Sequence, residues 1–231
     1  MISVRTDSSQ VAEALCLLGV GPGHVAEVRA LGVKAGNGFT NTWNGYFDSI
    51  EAAVQAVVRL PEAHGIYVTL NPCNPDLLAR RYNRLDRMGK DDKGTSDGEI
   101  TSLCWLPIDL DPIRPSGISS SDEEHDLALA RGQEVASYLS SQGWPAPVVA
   151  DSGNGGHLLY RVDLPVHDSP LVKQLLEELH QQFSDPLVKV DTSVFNPARI
   201  WKLYGTPARK GDSTLKRPHR LARLLFKPEA S

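Results

Sequence analysis

The stretch Trp105-Leu106-Pro107-Ile108-Asp109-Leu110-Asp111-Pro112 decides how this chain is read. Side chains alternate across a β-strand, so Leu106, Ile108 and Leu110 face one way and Asp109 and Asp111 the other, with the two aspartate Cα atoms roughly 6.6 Å apart. One face is therefore core and the other anionic. Two like charges held that close on an apolar strand repel each other and resist burial unless a cation sits between them, for which a divalent ion is the usual solution. A strand that ends in a solvated turn, with Pro112 as the breaker, accounts for the pair equally well. The Asp-x-Asp spacing alone does not separate the two readings.

Downstream, Asp151-Ser152-Gly153-Asn154-Gly155-Gly156-His157 leads into Leu158-Leu159-Tyr160-Arg161-Val162, a strand entered from a glycine-rich turn. Glycines permit positive φ and close approach, so such a turn can present backbone N–H groups to phosphate oxygens. At the turn-to-strand junction His157 can donate to a phosphate; taken in isolation, it is more simply a half-buried strand histidine bonded to a carbonyl. A third acid, Asp191, follows the apolar run Leu187-Val188-Lys189-Val190 and so stands at another strand end. Arg199 and Lys202 come next, in Asn196-Pro197-Ala198-Arg199-Ile200-Trp201-Lys202-Leu203-Tyr204-Gly205-Thr206. Three apart, they align on a helix but oppose each other on a strand, which makes Lys202 the weaker candidate.

In order and spacing, the Asp109/Asp111 pair, the Ser152-to-His157 turn and the later Asp191 with Arg199 resemble the three motifs of the archaeo-eukaryotic primase superfamily. The resemblance is closest to the bifunctional primase-polymerase domains of plasmid, phage and CRISPR-linked replication proteins. It spans most of the chain, since Tyr67-Val68-Thr69-Leu70-Asn71-Pro72 and Arg217-Pro218-His219-Arg220 also look typical of that branch. It implies that Asp109, Asp111 and Asp191 hold metal, and that Ser152, Asn154, His157, Arg199 and Lys202 meet the triphosphate of an incoming nucleotide. The implied partners are a single-stranded DNA template, a primer strand, NTP or dNTP, and a helicase or other replication protein. The implied cofactor is Mg2+ or Mn2+, two ions with nucleotide bound.

The chemistry fits that assignment. Nucleotidyl transfer by two metals needs ions about 3.5–4 Å apart, hence carboxylates converging from separate strands, and three aspartates on two expected strands meet the need. Magnesium retains waters and substrate phosphates and takes few protein carboxylates, so a small acidic set is sufficient. Charge growing on the pyrophosphate leaving group is offset by fixed cations and donors, the role open to His157, Arg199 and Lys202.

A chain of 231 residues with 41% apolar content can bury a sizeable core as one large domain or two small ones. No stretch approaches the ~20 apolar residues of a membrane span. The N-terminus, with Arg5 and Asp7, lacks the apolar segment of an export signal. Three scattered cysteines, at 16, 73 and 104, suit neither a zinc site nor a disulfide framework and point to a reducing cytosol, so a cytoplasmic enzyme is expected.

The net charge of −4 is unevenly spread. Residues 199–227 carry nine Lys and Arg against one acid, leaving the remainder at −12. Such a patch can follow a phosphate backbone by counterion release, and within it Arg217 and Arg220 are nucleic-acid candidates. A second cluster, Arg80, Arg81, Arg84 and Arg87, lies on an expected helix Pro75 to Met88 capped by Asn74. There Arg80, Arg84 and Arg87 share one face and are read as template or nucleotide contacts.

Further elements follow from the hydrophobic pattern. Helices are expected over Asp48 to Leu60 with Asp48 as cap, over Asp122 to Ser141 with Ser121 as cap and Gly143 as stop, and over Pro170 to Phe183 with Ser169 as cap. Strands are expected at Gly65 to Leu70, Val148 to Ala150 and from His157, with a mobile loop at Gly89 to Gly98 and a loop over 112–121 able to cover the site. Helices and strands alternate, so the fold class is α/β. The resemblance implies an RRM-like catalytic sheet, residues 99–231, packed with an N-terminal α/β unit, residues 1–98, in one catalytic core. The end Lys227 to Ser231 is compatible with a core cut from a longer protein. Trp105 and Trp201 are read as packing residues, and Tyr67 as a contact to the nucleotide sugar.

Two other classes use parts of the same inventory. A metal-dependent nuclease or phosphodiesterase needs the three aspartates but has little use for His157 on a glycine turn together with Arg199. A nonenzymatic nucleic-acid module needs the basic run and leaves three converging carboxylates unexplained.

Overall fold

The computed structural model describes residues 4–36 and 38–229, so the last two residues of the C-terminal run lie outside the described residues. Helix α1 (Ser8–Leu17) opens the chain, its first turn closed by the Asp7 carboxylate, which accepts from the N–H groups of Ser9 and Gln10. Strands β1 (Ala26–Lys34) and β2 (Thr40–Phe47), helix α2 (Ile50–Arg59) and strands β3 (Gly65–Thr69) and β4 (Asp86–Arg87) follow. Next come β5 (Leu103–Pro112), α3 (Asp122–Ser141), β6 (Val148–Asp151), β7 (Gly156–Leu164), α4 (Ser169–Phe183) and β8 (Val188–Val190). Short strands β9 (Ile200–Lys202), β10 (Pro207–Ala208), β11 (Arg220–Leu221) and β12 (Arg223–Phe226) complete the chain.

Two five-stranded antiparallel sheets result, ordered β4-β2-β1-β3-β9 and β12-β6-β7-β5-β8. Within the second, the run β5-α3-β6-β7-α4-β8 forms the split βαββαβ arrangement of RRM-like sheets, with β12 added at one edge. The α/β expectation agrees with this architecture. Alternation along β5 is as expected: Leu106, Ile108 and Leu110 are buried, while Asp109 and Asp111 stay half-buried on the opposite face. The expected division at residue 98 is not a structural boundary. β9 pairs Trp201 with Val68 and Lys202 with Tyr67, completing the first sheet, and one apolar cluster joins Val28 and Val68 to Ile108, Leu110 and Leu203.

Local signals survive where they are self-contained. At α3 the Ser121 hydroxyl accepts from Glu124 N–H at 3.2 Å while the Glu124 carboxylate accepts from Ser121 N–H at 2.9 Å, and Gly143 at φ +86° ends the helix. The cap of α2 is Ser49 rather than Asp48, whose carboxylate instead accepts from the Asn83 amide at 2.6 Å. At α4, Ser169 is the first helical residue and Asp168 holds the cap position, without a side-chain bond.

The expected helix Pro75 to Met88 does not form. A short 3₁₀ helix covers Pro75–Arg80, Asn83 adopts φ +48°, and the chain then runs along β2. Asn83 N–H donates to Tyr46 O at 2.9 Å and Met88 N–H to Thr42 O at 2.8 Å. Pairing with a sheet edge has overridden helical propensity, so Arg80, Arg84 and Arg87 do not share a helix face. The 89–98 loop is anchored to the first sheet at Thr95. Thr95 N–H donates at 2.8 Å to Glu27, a fully buried carboxylate that also accepts from Arg29 and Asn44.

Candidate active site

β5 and β8 are neighbours with Leu110 opposite Val190, and Asp191 N–H donates to Asp109 O at 2.9 Å just beyond the end of β8. This register brings one carboxylate oxygen each of Asp109, Asp111 and Asp191 within 4.8 Å of one another. One Asp191 oxygen also accepts from Ser193 N–H at 2.8 Å, which holds its side chain against the following turn.

The electrostatics of the cluster are those of crowded anions. The charge of Asp109, reinforced by burial, pushes the Asp111 carboxyl up to about 6, against the pull of Lys210 and Arg114. Burial opposes ionisation of Asp109 too, but the neighbouring His157 imidazole, with Lys210 and Arg114, holds that carboxyl below the usual range. His157 Nε2 stands 3.5 Å from Asp109 Oδ1. The donor set, three hard carboxylates in which the Asp109 charge raises Asp111, fits a divalent ion.

A hollow of about 180 Å³ opens beside the carboxylates, between the two sheets. Ser152, Asn154, His157, Arg199 and Lys202 all line it, together with Tyr67. Arg199 precedes β9 and Lys202 ends it, yet both reach the same hollow. Arg199 Nη2 donates to Ser193 O, and its buried Nε has no partner among the described residues. Lys202 is the deeper of the two. Its ammonium donates to Thr206 Oγ1 at 2.9 Å and Pro207 O at 2.8 Å, 5.5 Å from the centre of the Tyr67 ring, and burial pushes its pKa down to about 7.

The glycine turn is built differently from its expected form. Gly153 N–H donates to Asp151 at 2.6 Å, and the Asn154 and Gly155 N–H groups donate to Ser152 Oγ at 3.3 and 2.9 Å. Those amides are consumed inside the turn and offer no cradle to a phosphate. The glycines serve packing instead: a Cβ on Gly155 would stand 2.2 Å from Leu110 O, and Gly153 holds φ +85°. Ser152 is occupied likewise, its hydroxyl donating to Gly155 O at 3.1 Å. Asn154 Oδ1 accepts from Ser120 N–H at 2.9 Å, and the residue borders the hollow.

Arg217 and Arg220 are tied to the acidic start of α3. Arg217 makes two bonds to Glu124, at 2.7 and 2.8 Å, and Arg220 donates to Asp122 at 2.6 Å and Ser120 O at 2.9 Å. Both charges are paired within the chain. Arg80, Arg84 and Arg87 line a groove of about 790 Å³ with Arg81, Lys93 and three aspartates. There Arg80 pairs with Glu99, Arg81 with Asp92 and Arg84 with Asp86, leaving Arg87 and Lys93 without an acidic partner among the described residues.

Sequence reasoning missed Arg209 and Lys210 as site residues. Both line the hollow, and the Lys210 charge draws down Asp109 and Asp111. They were visible only as members of the basic run, with no motif of their own. The 112–121 loop lines a second hollow of about 270 Å³ that shares Asp111 and Lys210 with the first.

The fold, an RRM-like sheet backed by a second sheet across a cation-lined hollow, is shared with a solved primase-polymerase domain. The AEP domain of the primase-polymerase of cyanophage S-2L is similar in structure, with a TM-score of 0.53 and 17% identity over 96% of this chain and 91% of that one. The polymerase domain of ligase D from Mycobacterium tuberculosis, in complex with DNA, gives a TM-score of 0.47 and 16% identity over 93% of this chain and 81% of that one. No family model and no curated protein matches the sequence. Among the described residues no helix is long and apolar enough to cross a membrane.

Proposed function

We propose that the protein is a template-directed nucleotidyltransferase, a DNA primase-polymerase that synthesises or extends primers on single-stranded DNA. The observation that carries this reading is the meeting of Asp109, Asp111 and Asp191 within 4.8 Å at the mouth of a hollow lined by His157, Arg199, Lys202 and Lys210. Asp109, Asp111 and Asp191 would hold Mg2+ or Mn2+, two ions with nucleotide bound. Such ions would supply Lewis-acid stabilisation of the charge that develops during nucleotidyl transfer.

The chain's own residues do the rest. Arg199, with its buried Nε unpartnered, and Lys210, which makes no ion pair among the described residues, supply charge to the triphosphate as pyrophosphate departs. His157 and the Asn154 amide donate to phosphate oxygens. Lys202, already bonded to Thr206 and Pro207, shapes the floor and contributes field rather than a direct contact. Tyr67 bounds the same hollow and is the candidate contact for the sugar. The Arg87 and Lys93 groove takes template phosphates, in place of Arg217 and Arg220. Cations facing the carboxylates favour this reading over a nuclease, which would need only a water nucleophile opposite the metals.

The test is incubation with primed and unprimed single-stranded templates, NTP or dNTP, and Mg2+ or Mn2+, for wild type and the Asp109→Ala/Asp111→Ala variant. Strand extension that the variant loses supports the reading. Strand shortening assigns a nuclease, and binding without turnover assigns a nucleic-acid module. Extension that survives in the variant at near wild-type rate overturns the mechanism.

A further inference from the structure

Behind His157 lie two aromatic residues that sequence reasoning set down as packing or left unassigned. The Trp201 indole packs on the imidazole with ring centres 4.0 Å apart and planes tilted by 35°, and its Nε1–H donates to the Tyr204 hydroxyl oxygen at 2.7 Å. That oxygen also lies 3.1 Å from His157 Nδ1. All three side chains are buried, and the Tyr204 hydroxyl makes no further hydrogen bond among the described residues.

The supply of donors and acceptors fixes the direction of this chain. An indole N–H can only donate, so the Tyr204 oxygen is the acceptor at that contact. Burial holds the phenol far above its ordinary pKa, so the hydroxyl keeps its hydrogen. A buried hydroxyl hydrogen needs an acceptor, and His157 Nδ1 is the one within reach. A proton on Nδ1 would make the oxygen accept twice and strand the hydroxyl hydrogen.

We propose that Trp201 and Tyr204 are positioning residues that hold His157 with Nδ1 bare and its proton on Nε2, the nitrogen facing Asp109 and the hollow. The hydrogen bonds then run one way, from indole to phenol to imidazole to site. Nε2 is 3.5 Å from Asp109 Oδ1, long for a hydrogen bond, so this donor is available to a third party. Which group receives it rests on the proposed polymerase reading: there it is a phosphate oxygen of the incoming nucleotide. Trp201 adds the packing surface that keeps the ring from turning.

The test is 15N spectroscopy of the imidazole nitrogens in metal-free protein at pH 8, with His157 assigned by comparison with His157→Gln. The expected wild-type spectrum has a protonated Nε2 and an unprotonated Nδ1, and Tyr204→Phe, which keeps the ring, shifts population toward the other tautomer. A wild-type spectrum with the proton on Nδ1 overturns the proposal whether or not any variant folds, and so does a folded Tyr204→Phe protein with an unchanged tautomer. In extension assays Tyr204→Phe should raise the nucleotide KM about tenfold, the effect of one missing hydrogen bond, with template affinity unchanged. Should wild type show the expected tautomer but no strand extension, the polymerase reading fails while the positioning role stands.

Discussion

Replacing Asp111 by Asn in the metal-free protein should make it more stable, although the residue belongs to the candidate active site. The Asp111 carboxyl is pushed up to about 6 from an ordinary 3.8, chiefly by the Asp109 charge. The folded protein therefore binds a proton more tightly than the unfolded chain, and stability falls as pH rises from about 4 to about 6, with the full cost present above that range. At 1.36 kcal/mol per unit this cost is at most about 3 kcal/mol. The side chain keeps 29% of its exposure, so solvent and counterions reduce it to an expected 1–2 kcal/mol, on the order of one strong surface interaction. Urea unfolding in EDTA at pH 7.5 should show Asp111→Asn more stable than wild type by that amount, with unchanged m value. At pH 4.5, where folded wild-type Asp111 is protonated but the unfolded chain is still mostly ionised, the difference should shrink to roughly a third, and it should vanish below the ordinary pKa of 3.8. Adding Mn2+ should stabilise wild type much more than the variant, since the ion relieves the repulsion the substitution has already removed. A variant less stable than wild type at pH 7.5 without metal, or a difference independent of pH, would refute this account of the cluster.

Other outcomes follow from the packing around the site. Gly155→Ala places a Cβ 2.2 Å from Leu110 O, on the strand that carries both aspartates, so it should lower the thermal midpoint and abolish Mn2+-dependent stabilisation, both read by calorimetry. Arg87→Ala with Lys93→Ala should weaken single-stranded DNA binding and reduce the slope of log affinity against log salt by about one for each phosphate no longer neutralised, measured by fluorescence anisotropy. Arg217→Ala should act on stability instead. It should leave that slope unchanged and lower the thermal midpoint, because its two bonds to Glu124 tie the C-terminal segment to α3.

What could be read from residues alone was whatever a few neighbours decide among themselves. The capping box of Ser121 and Glu124, the stop at Gly143 and the alternation of Leu106, Ile108 and Leu110 with Asp109 and Asp111 are such cases, and each stands in the fold as expected. Where a segment had to choose between its own propensity and a distant partner, the partner won. The residues after Pro75 abandoned a helix to pair with β2, and Arg217 and Arg220, members of a basic run, met acids almost a hundred positions away. The glycines of the Ser152-to-His157 turn had two possible uses, exposing amides or admitting the backbone of another strand. Nothing short of the position of Leu110 could distinguish them.

The chemical inventory and its alternation were therefore written in the linear order: two acids on one strand face, a third at another strand end, a histidine after a glycine turn, and cations beyond. Convergence was not. It required β8 to lie beside β5 in the register that seats Asp191 against Asp109, and β9 to close the first sheet so that Arg199, Lys202 and Trp201 face the carboxylates. Side-chain alternation is a property of one strand, set by local sterics. The approach of separate strands is set by burial and hydrogen bonding summed over the whole core, to which no single stretch of sequence has access.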